Sequence, residues 1–353
     1  MKIKLNPSHC VKYYSKNSEC KLCEDICPTD AVEVKSGEVS LFQNKCISCG
    51  GCVGVCPNEA LTLTNFDITE FFFDFLSSSE NAISCKSNFV CLSGLNVEYL
   101  TSMGFIKDDI MLDFGHCDSC DIKESCLPQI EKNIKEANIV LNSVGKNPIK
   151  SENLCLVREE TSNRREFLNI FTLKSVVKAK KDFDEKVNDD PLKKITSQMT
   201  KAIKEKTIPN KRKVFFTVVK KLKKPEQYVS FNSDDISFTS SKVIDDSCDN
   251  CSICYRVCPT SALSSNKNGS KIYFDDLLCI KCKLCHDVCE KDSISLKEIS
   301  NKEFFEPSQK VLQSFSVIKC HECGNPFTYL GGEKICLSCK IEEEDAKSLW
   351  GIS

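Results

Sequence analysis

Residues 248–258 read Cys-Asp-Asn-Cys-Ser-Ile-Cys-Tyr-Arg-Val-Cys and are followed by Pro259, a C-x2-C-x2-C-x3-C-P run. Cys279, Cys282, Cys285 and Cys289 repeat the cysteine spacing, and Cys46, Cys49, Cys52 and Cys56 repeat it again before Pro57. Thiolates at this spacing are the donor set of iron–sulfur chemistry. Three cysteines on a tight loop can reach three corners of one [4Fe-4S] cubane. The fourth lies a helical turn further on, points away, and ligates the partner cluster. This crossed rule predicts one cubane on Cys248, Cys251, Cys254 and Cys289, and a second on Cys279, Cys282, Cys285 and Cys258. A third falls on Cys46, Cys49, Cys52 and Cys27, where Gly50 and Gly51 let the backbone come close to the cluster.

The remaining half-motif is irregular. Cys20, Cys23 and Cys27 precede Pro28, but Asn17 stands where the first cysteine would be. Cys10 lies a short loop upstream. Three readings are open: Cys10 completes a [4Fe-4S] site with Cys20, Cys23 and Cys56, the site is [3Fe-4S], or it is degenerate. We favour Cys10, because a loop that already carries a cysteine beside an intact motif is the economical source of a ligand.

Two further cysteine groups lie outside these runs. Cys320-x2-Cys323-Gly324 and Cys336-x2-Cys339 are separated by 12 residues, with Gly331-Gly332 to turn the chain between them. Such pairs on facing turns give tetrahedral S4 coordination, which selects zinc or a single iron. The pattern resembles a zinc ribbon, which implies zinc. Nothing aromatic and basic surrounds it, so a structural or partner-docking role is expected rather than nucleic-acid binding. Cys85, Cys91, Cys117, Cys120 and Cys126 form the second group, and their clustering points to a metal of some kind. Cys155 stands alone and reads as an unliganded thiol, and His116 beside a cysteine pair is weak evidence for ligation.

The elements that must position these residues are read from local pattern. After the cysteine runs come four similar tails, Cys27-Pro-Thr-Asp-Ala-Val, Cys56-Pro-Asn-Glu-Ala-Leu, Cys258-Pro-Thr-Ser-Ala-Leu and Cys289-Glu-Lys-Asp-Ser-Ile, each read as a short helix ending in a brief strand. Residues 31–42 alternate around Ser36-Gly37, a hairpin signal, and Ile272-Tyr-Phe274 after Asn268-Gly-Ser plays the same part. Both regions resemble the bacterial two-cluster ferredoxin family, over about residues 8–65 and 244–299. That resemblance implies a small α+β unit with pseudo-twofold symmetry, present twice.

Residues 66–76 read as an apolar packing helix. Ile83-Ser-Cys85 and Asp109–Phe114 read as buried strands of a parallel sheet, with Val97–Leu100 in a crossover helix. Cysteines sit where these strands end, which is where open α/β sheets bind ligands. Cys91-Leu-Ser-Gly94 and Gly115-His-Cys117-Asp-Ser-Cys120 are similar to the delta subunit of methyl-viologen-reducing hydrogenase, and this implies a [2Fe-2S] relay site. Helical spacing recurs at 129–142, 193–206 and 211–224. The last puts Phe215, Val218, Val219 and Leu222 on one face, and reads as a packing helix with a solvated lysine face rather than a membrane-surface helix. Arg164-Arg165 is internal, lacks a following apolar region, and is not an export address.

The chain has 353 residues, 26 cysteines and a net charge of −2. Residues 171–224 hold 17 Lys and Arg against 6 Asp and Glu, so a basic middle joins acidic cysteine-rich bodies, which suits charge-steered docking to protein partners. No secretory signal and no apolar run of membrane-span length is visible, so metal-bound thiols of a reducing cytoplasm are expected over a disulfide scaffold. There is no Gly-rich dinucleotide fingerprint, phosphate loop, C-x3-C-x2-C radical motif or Ser/His/Asp arrangement.

The expectation is an α+β chain in five parts: a ferredoxin-like module at 1–65, a cysteine-rich α/β insert at 66–155, a basic helical linker at 156–243, a second ferredoxin-like module at 244–300, and a zinc ribbon at 315–345. Its work would be one-electron relay between a redox enzyme, of hydrogenase or formate dehydrogenase type, and an acceptor. It would be a carrier or a subunit of an oxidoreductase complex rather than an enzyme by itself. The alternatives are a cluster-based redox sensor or assembly protein, or a subunit with a catalytic or [2Fe-2S] site in the insert.

Overall fold

The computed structural model describes residues 3–157 and 206–350. The Arg164-Arg165 pair and almost all of the 193–206 pattern lie outside the described residues.

The first module runs through β1 (Ile3–Leu5), α1 (Leu22–Asp25), β2 (Val32–Lys35), β3 (Glu38–Leu41), α2 (Gly51–Val55) and β4 (Leu61–Leu63). β1 pairs antiparallel with β4, and β2 with β3. Ser36 and Gly37 join the hairpin at φ 51° and 83°. Both turn centres are left-handed, which matches the right-handed twist of the two strands.

The next segment holds α3 (Ile68–Ser77), β5 (Ala82–Ile83), α4 (Val97–Ile106), β6 (Met111–Asp113), α5 (Lys123–Asn142) and β7 (Lys150–Glu152). Asp67 caps α3 by accepting from the Thr69 and Glu70 N–H groups, and Asn96 caps α4 through Tyr99 N–H. The three strands form a parallel sheet in the order β5-β6-β7. The first two fall where the sequence predicts parallel strands, though β5 stops at Ile83 because Ser84 turns its hydroxyl to the Asp113 carboxylate at 2.8 Å. β7 is Lys-Ser-Glu and exposed throughout, so no periodic signal marks it.

The chain continues through α6 (Asn210–Val219), β8 (Ser230–Phe231), β9 (Ser241–Ile244), α7 (Ile253–Val257), β10 (Leu263–Ser265), β11 (Lys271–Asp275), α8 (Leu284–Asp287) and β12 (Ile294–Lys297). It ends in β13 (Ile299–Ser300), α9 (Lys302–Phe305), β14 (Gln309–Ser314), β15 (Ser316–Lys319), β16 (Pro326–Tyr329) and α10 (Leu337–Trp350). Pairing of β9 with β12 and of β10 with β11 repeats the connectivity of the first module. Here β14 adds a third strand against β11, and β8 pairs with β13.

One sequence expectation is corrected. The short helices precede the fourth cysteine of each run rather than coming after it. Beyond that cysteine the chain makes a turn whose third residue is left-handed in all four copies: Asp30, Glu59, Ser261 and Asp292, at φ 49–59°. A helix cannot pass through such a residue, so the chain reverses into the strand at once.

α6 packs as its apolar spacing suggests, and Lys220, Lys221, Lys223 and Lys224 at and beyond its end are exposed, but its first turn departs from a solvated lysine face. Phe215, Val218 and Val219 join the largest core cluster, with Leu100, Met103, Phe238 and Phe304. Lys211 and Arg212 are buried with them, at 4% and 0% exposure. Their burial is tolerable because the chain offers them a carboxylate and several carbonyls.

The first module meets the insert through glycines. A Cβ built on Gly54 would lie 2.2 Å from the Ser93 carbonyl oxygen and 2.9 Å from the Gly94 Cα. Both are backbone atoms and cannot swing aside. Gly54→Ala is therefore expected to cost roughly 3 kcal/mol by overpacking. A thermal melt of the loaded protein unchanged from wild type would show that the two bodies do not pack this closely.

Candidate functional site

In each complete C-x2-C-x2-C loop, the residue before the second cysteine and the residue after it are both left-handed: Ser48 and Gly50, Asn250 and Ser252, Lys281 and Lys283. Three pairs in three loops, mostly on residues with a Cβ, are strain repeated at the same positions, as functional sites show. Backbone turned in this way aims successive N–H groups into a concavity suited to an anion. The irregular half-motif breaks the rule, since Lys21 lies at φ −142°.

The thiols gather in groups of four from separate parts of the chain. Cys10, Cys20, Cys23 and Cys56 line one cavity with Val11, Val39 and Leu61. Burial pushes the Cys10 thiol up to about 11 and Cys23 to about 12, with the neighbouring cysteines of the same group adding to both. Cys258, Cys279, Cys282 and Cys285 line another cavity, and Cys248, Cys251, Cys254 and Cys289 a third. Burial raises Cys285 and Cys254 to about 12. Cys52 is also pushed up by burial, and then by Cys49, Cys23, Cys27 and Cys46. Burial penalises these groups as bare thiolates, so without a cation they rest as neutral thiols. A cationic metal core takes them as thiolates.

The backbone serves the sulfur atoms too. Ala31 N–H and Ala60 N–H donate to the sulfurs of Cys27 and Cys56 respectively, each at 3.2 Å, and Leu263 N–H donates to Cys258 at 3.4 Å. The left-handed residue after each Cys-Pro makes this return possible. Ser240 Oγ lies 3.4 Å from the Cys279 sulfur, and Ser293 Oγ 3.2 Å from that of Cys289.

Residues 18–61 and 247–294 match the 4Fe-4S dicluster domain family. Both segments are 4Fe-4S dicluster domains. The first match begins after Cys10, which enters its cavity from outside the domain proper. No curated protein matches the chain.

The two dicluster domains face each other. Val11 and Tyr14, just ahead of the first, pack with Leu284, Val288 and Val257 of the second, and Cys20 and Cys282 border this same apolar patch. Glu19 N–H donates across the junction to Asp287 at 3.0 Å. Burial raises the Tyr14 hydroxyl to about 12, and Cys258 and Cys282 add to the shift, which places Tyr14 against thiols of the second domain.

The insert brings its cysteines to one end of its sheet. Cys85 comes after β5, Cys117 and Cys120 after β6, and Cys155 after β7. Cys117 is raised to about 11, first by burial and then by Cys85, Cys91 and Cys120. Asp113 organises this end by accepting from Ser84 Oγ and from the N–H groups of Gly115, Leu154, Cys155 and Leu156 at 2.8–3.0 Å. Cys126 is set apart. It lies beside both Cys49 and Cys91, and this closeness lowers those two thiols and raises its own. The insert thus touches the first dicluster domain at one of its cysteines, a link between residues far apart in sequence that spacing does not reveal. Cys155 is exposed, with its sulfur 3.4 Å from the Gly115 carbonyl, and His116 Nε2 is engaged by the Leu156 carbonyl at 2.9 Å.

At the end of the chain Cys320, Cys323, Cys336 and Cys339 bring their sulfurs within 4.8 Å of one another and could hold a metal ion. Two of the edges are 3.9 Å (Cys320 to Cys339) and 3.7 Å (Cys323 to Cys336). The hairpin of β15 and β16 and the start of α10 supply the two facing pairs. Among the described residues no helix is long and apolar enough to cross a membrane.

Proposed function

We propose that this iron–sulfur electron-transfer protein is a cytoplasmic polyferredoxin that carries single electrons between an oxidoreductase of hydrogenase or formate dehydrogenase type and an acceptor. The ligand sets would be Cys27, Cys46, Cys49 and Cys52; Cys10, Cys20, Cys23 and Cys56; Cys258, Cys279, Cys282 and Cys285; and Cys248, Cys251, Cys254 and Cys289. When bound, [4Fe-4S] cubanes supply one-electron chemistry at potentials set by hydrogen bonds to sulfur, nearby charge and solvent access. The chain supplies the order. The observation that carries the reading is the apolar patch on which Cys20 of one domain and Cys282 of the other both border. It supports a reading in which the second and third sets would lie next to each other and form one path through two domains. Cys251, in the set that does not border the patch, is exposed, so the path can reach solvent there.

Zinc is the proposed occupant of the last four cysteines. A tetrahedron with metal–sulfur bonds of about 2.3 Å has sulfur–sulfur edges of about 3.8 Å, and the two edges here bracket that value. The hairpin would brace the adjoining domain, since Asn250 Nδ2 donates to Thr328 Oγ1 at 2.8 Å. A metal centre in the insert, on Cys85, Cys91, Cys117 and Cys120 and of [2Fe-2S] type, would lengthen the path beyond the first domain. Cys126 would then sit between that centre and Cys49.

The test is metal and acid-labile sulfide per chain after anaerobic purification, with EPR of the reduced protein. The expected result is about 16 irons from four cubanes and about one zinc, plus about two irons if the insert is loaded. Iron near 12 would mean that the Cys10 set is empty. Protein that loads fully yet neither accepts nor passes electrons on a fast timescale would point instead to a redox sensor or assembly factor.

A further inference from the structure

We propose that the first turn of α6 is a charged clamp that joins the two facing cubane sites and biases the Cys56 site toward its reduced state; this rests on the four-cubane reading above. Consecutive side chains of this turn reach into different domains. Lys211 Nζ donates to the carbonyl of Cys56 at 2.6 Å. Arg212 donates through Nη1 to the carbonyls of Leu277 and Cys279, the latter at 2.9 Å. Its other two nitrogens go to the Phe238 carbonyl and the Glu98 carboxylate, each at 2.5 Å. Cys56 belongs to the second ligand set and Cys279 to the third, so one helical turn holds the backbone of a cysteine in each.

The first domain also grips the helix in return. Glu59, three residues after Cys56, accepts from the Asn210 and Lys211 N–H groups at 2.5 and 3.1 Å, where the helix leaves its first donors unpaired. Glu98 closes the arrangement from the insert side, bonded to Arg212 and 4.0 Å from Lys211 Nζ. Two cations and two carboxylates are thus shared among three bodies. Glu98 is taken up mainly by Arg212, and Glu59, held by the Asn210 and Lys211 N–H groups, is the other carboxylate near Lys211, whose ammonium makes its hydrogen bond to the Cys56 carbonyl. An added electron on a nearby cluster is stabilised by a cation that water cannot screen. Lys211 therefore acts as a positioning and tuning residue for electron transfer.

The experiment is an EPR-monitored redox titration of the loaded full-length Lys211→Met, Lys211→Gln and Lys211→Arg variants. Lys211→Met should make one cubane about tenfold harder to reduce, equivalent to 59 mV for one electron, with iron content unchanged. Lys211→Arg, which keeps the charge, should restore the wild-type value. Lys211→Gln keeps a donor for the Cys56 carbonyl without the charge, and should show the same fall even if the methionine variant loses iron. Variants that hold all their iron and titrate like wild type would overturn the clamp. Wild-type protein without cubane iron would overturn the four-cubane reading instead, whatever Lys211 does.

Discussion

Cys282→Ser is expected to lower iron by about four atoms per chain and to break electron flow between the two dicluster domains. Burial together with the neighbours Cys285 and Cys258 pushes the Cys282 thiol far up. It borders the apolar patch formed by Val11, Tyr14, Leu284 and Val288, so no outside thiol can substitute for it. Serine offers a hydroxyl that does not ionise there and is a weak donor to a soft metal core. Anaerobic stopped-flow reduction would be monitored by cluster bleaching. In wild type one donor should reduce all cubanes in succession; in the variant the clusters beyond the gap should lag by orders of magnitude. Cys251→Ser provides the comparison. Cys251 is exposed and lies in the set that does not border the patch, so its loss should shorten the path without cutting it in the middle. Unchanged iron and single-phase reduction in Cys282→Ser would remove both the ligand set and the proposed path.

Much of this arrangement is legible in the sequence, for a physical reason. Cysteine spacing dictates loop shape, and the loop shape is local. The three complete runs predict three tight loops, and the structure winds each of them with left-handed residues at the same two positions. The crossed grouping arises from the short helix before each fourth cysteine, which turns that thiol away from its own loop. Cys10 is harder to place, because only a fold brings it to Cys20, Cys23 and Cys56 in one cavity. Spacing cannot reveal contacts that depend on two distant segments meeting. Cys126 reads as one more cysteine of the insert, yet its neighbours are Cys49 and Cys91. β7 has no apolar face and exists only because β6 offers it an edge. Lys211 and Arg212 look like part of a basic, solvated stretch, and charge composition can give no hint that Glu98 and the Cys279 carbonyl wait for them inside.

The burial of that arginine has a stability consequence of its own. Arg212 is wholly enclosed and Glu98 is 2% exposed, so the pair has no water to fall back on. Taking both ions out of water is expensive, and their mutual attraction together with the carbonyl bonds offsets that cost only while both are present. Arg212→Met removes the guanidinium and leaves the Glu98 carboxylate buried with Lys211 at 4.0 Å as its remaining cation. The expected loss is roughly 3–5 kcal/mol, read as a fall of roughly 10 °C in Tm for a body of this size. Both the insert and the second domain should loosen, because the same side chain binds carbonyls at Leu277, Cys279 and Phe238. Adding Glu98→Leu to Arg212→Met removes the stranded charge as well. A buried ion pair replaced by apolar side chains of similar volume is often neutral or stabilising, so the double variant should recover most of the loss from the charge. The carbonyls released at Cys279 and Leu277 would keep it below wild type. Should the double variant be no more stable than Arg212→Met alone, the carbonyl bonds rather than the ion pair carry the energy, and α6 holds the second domain as a hydrogen-bonding brace.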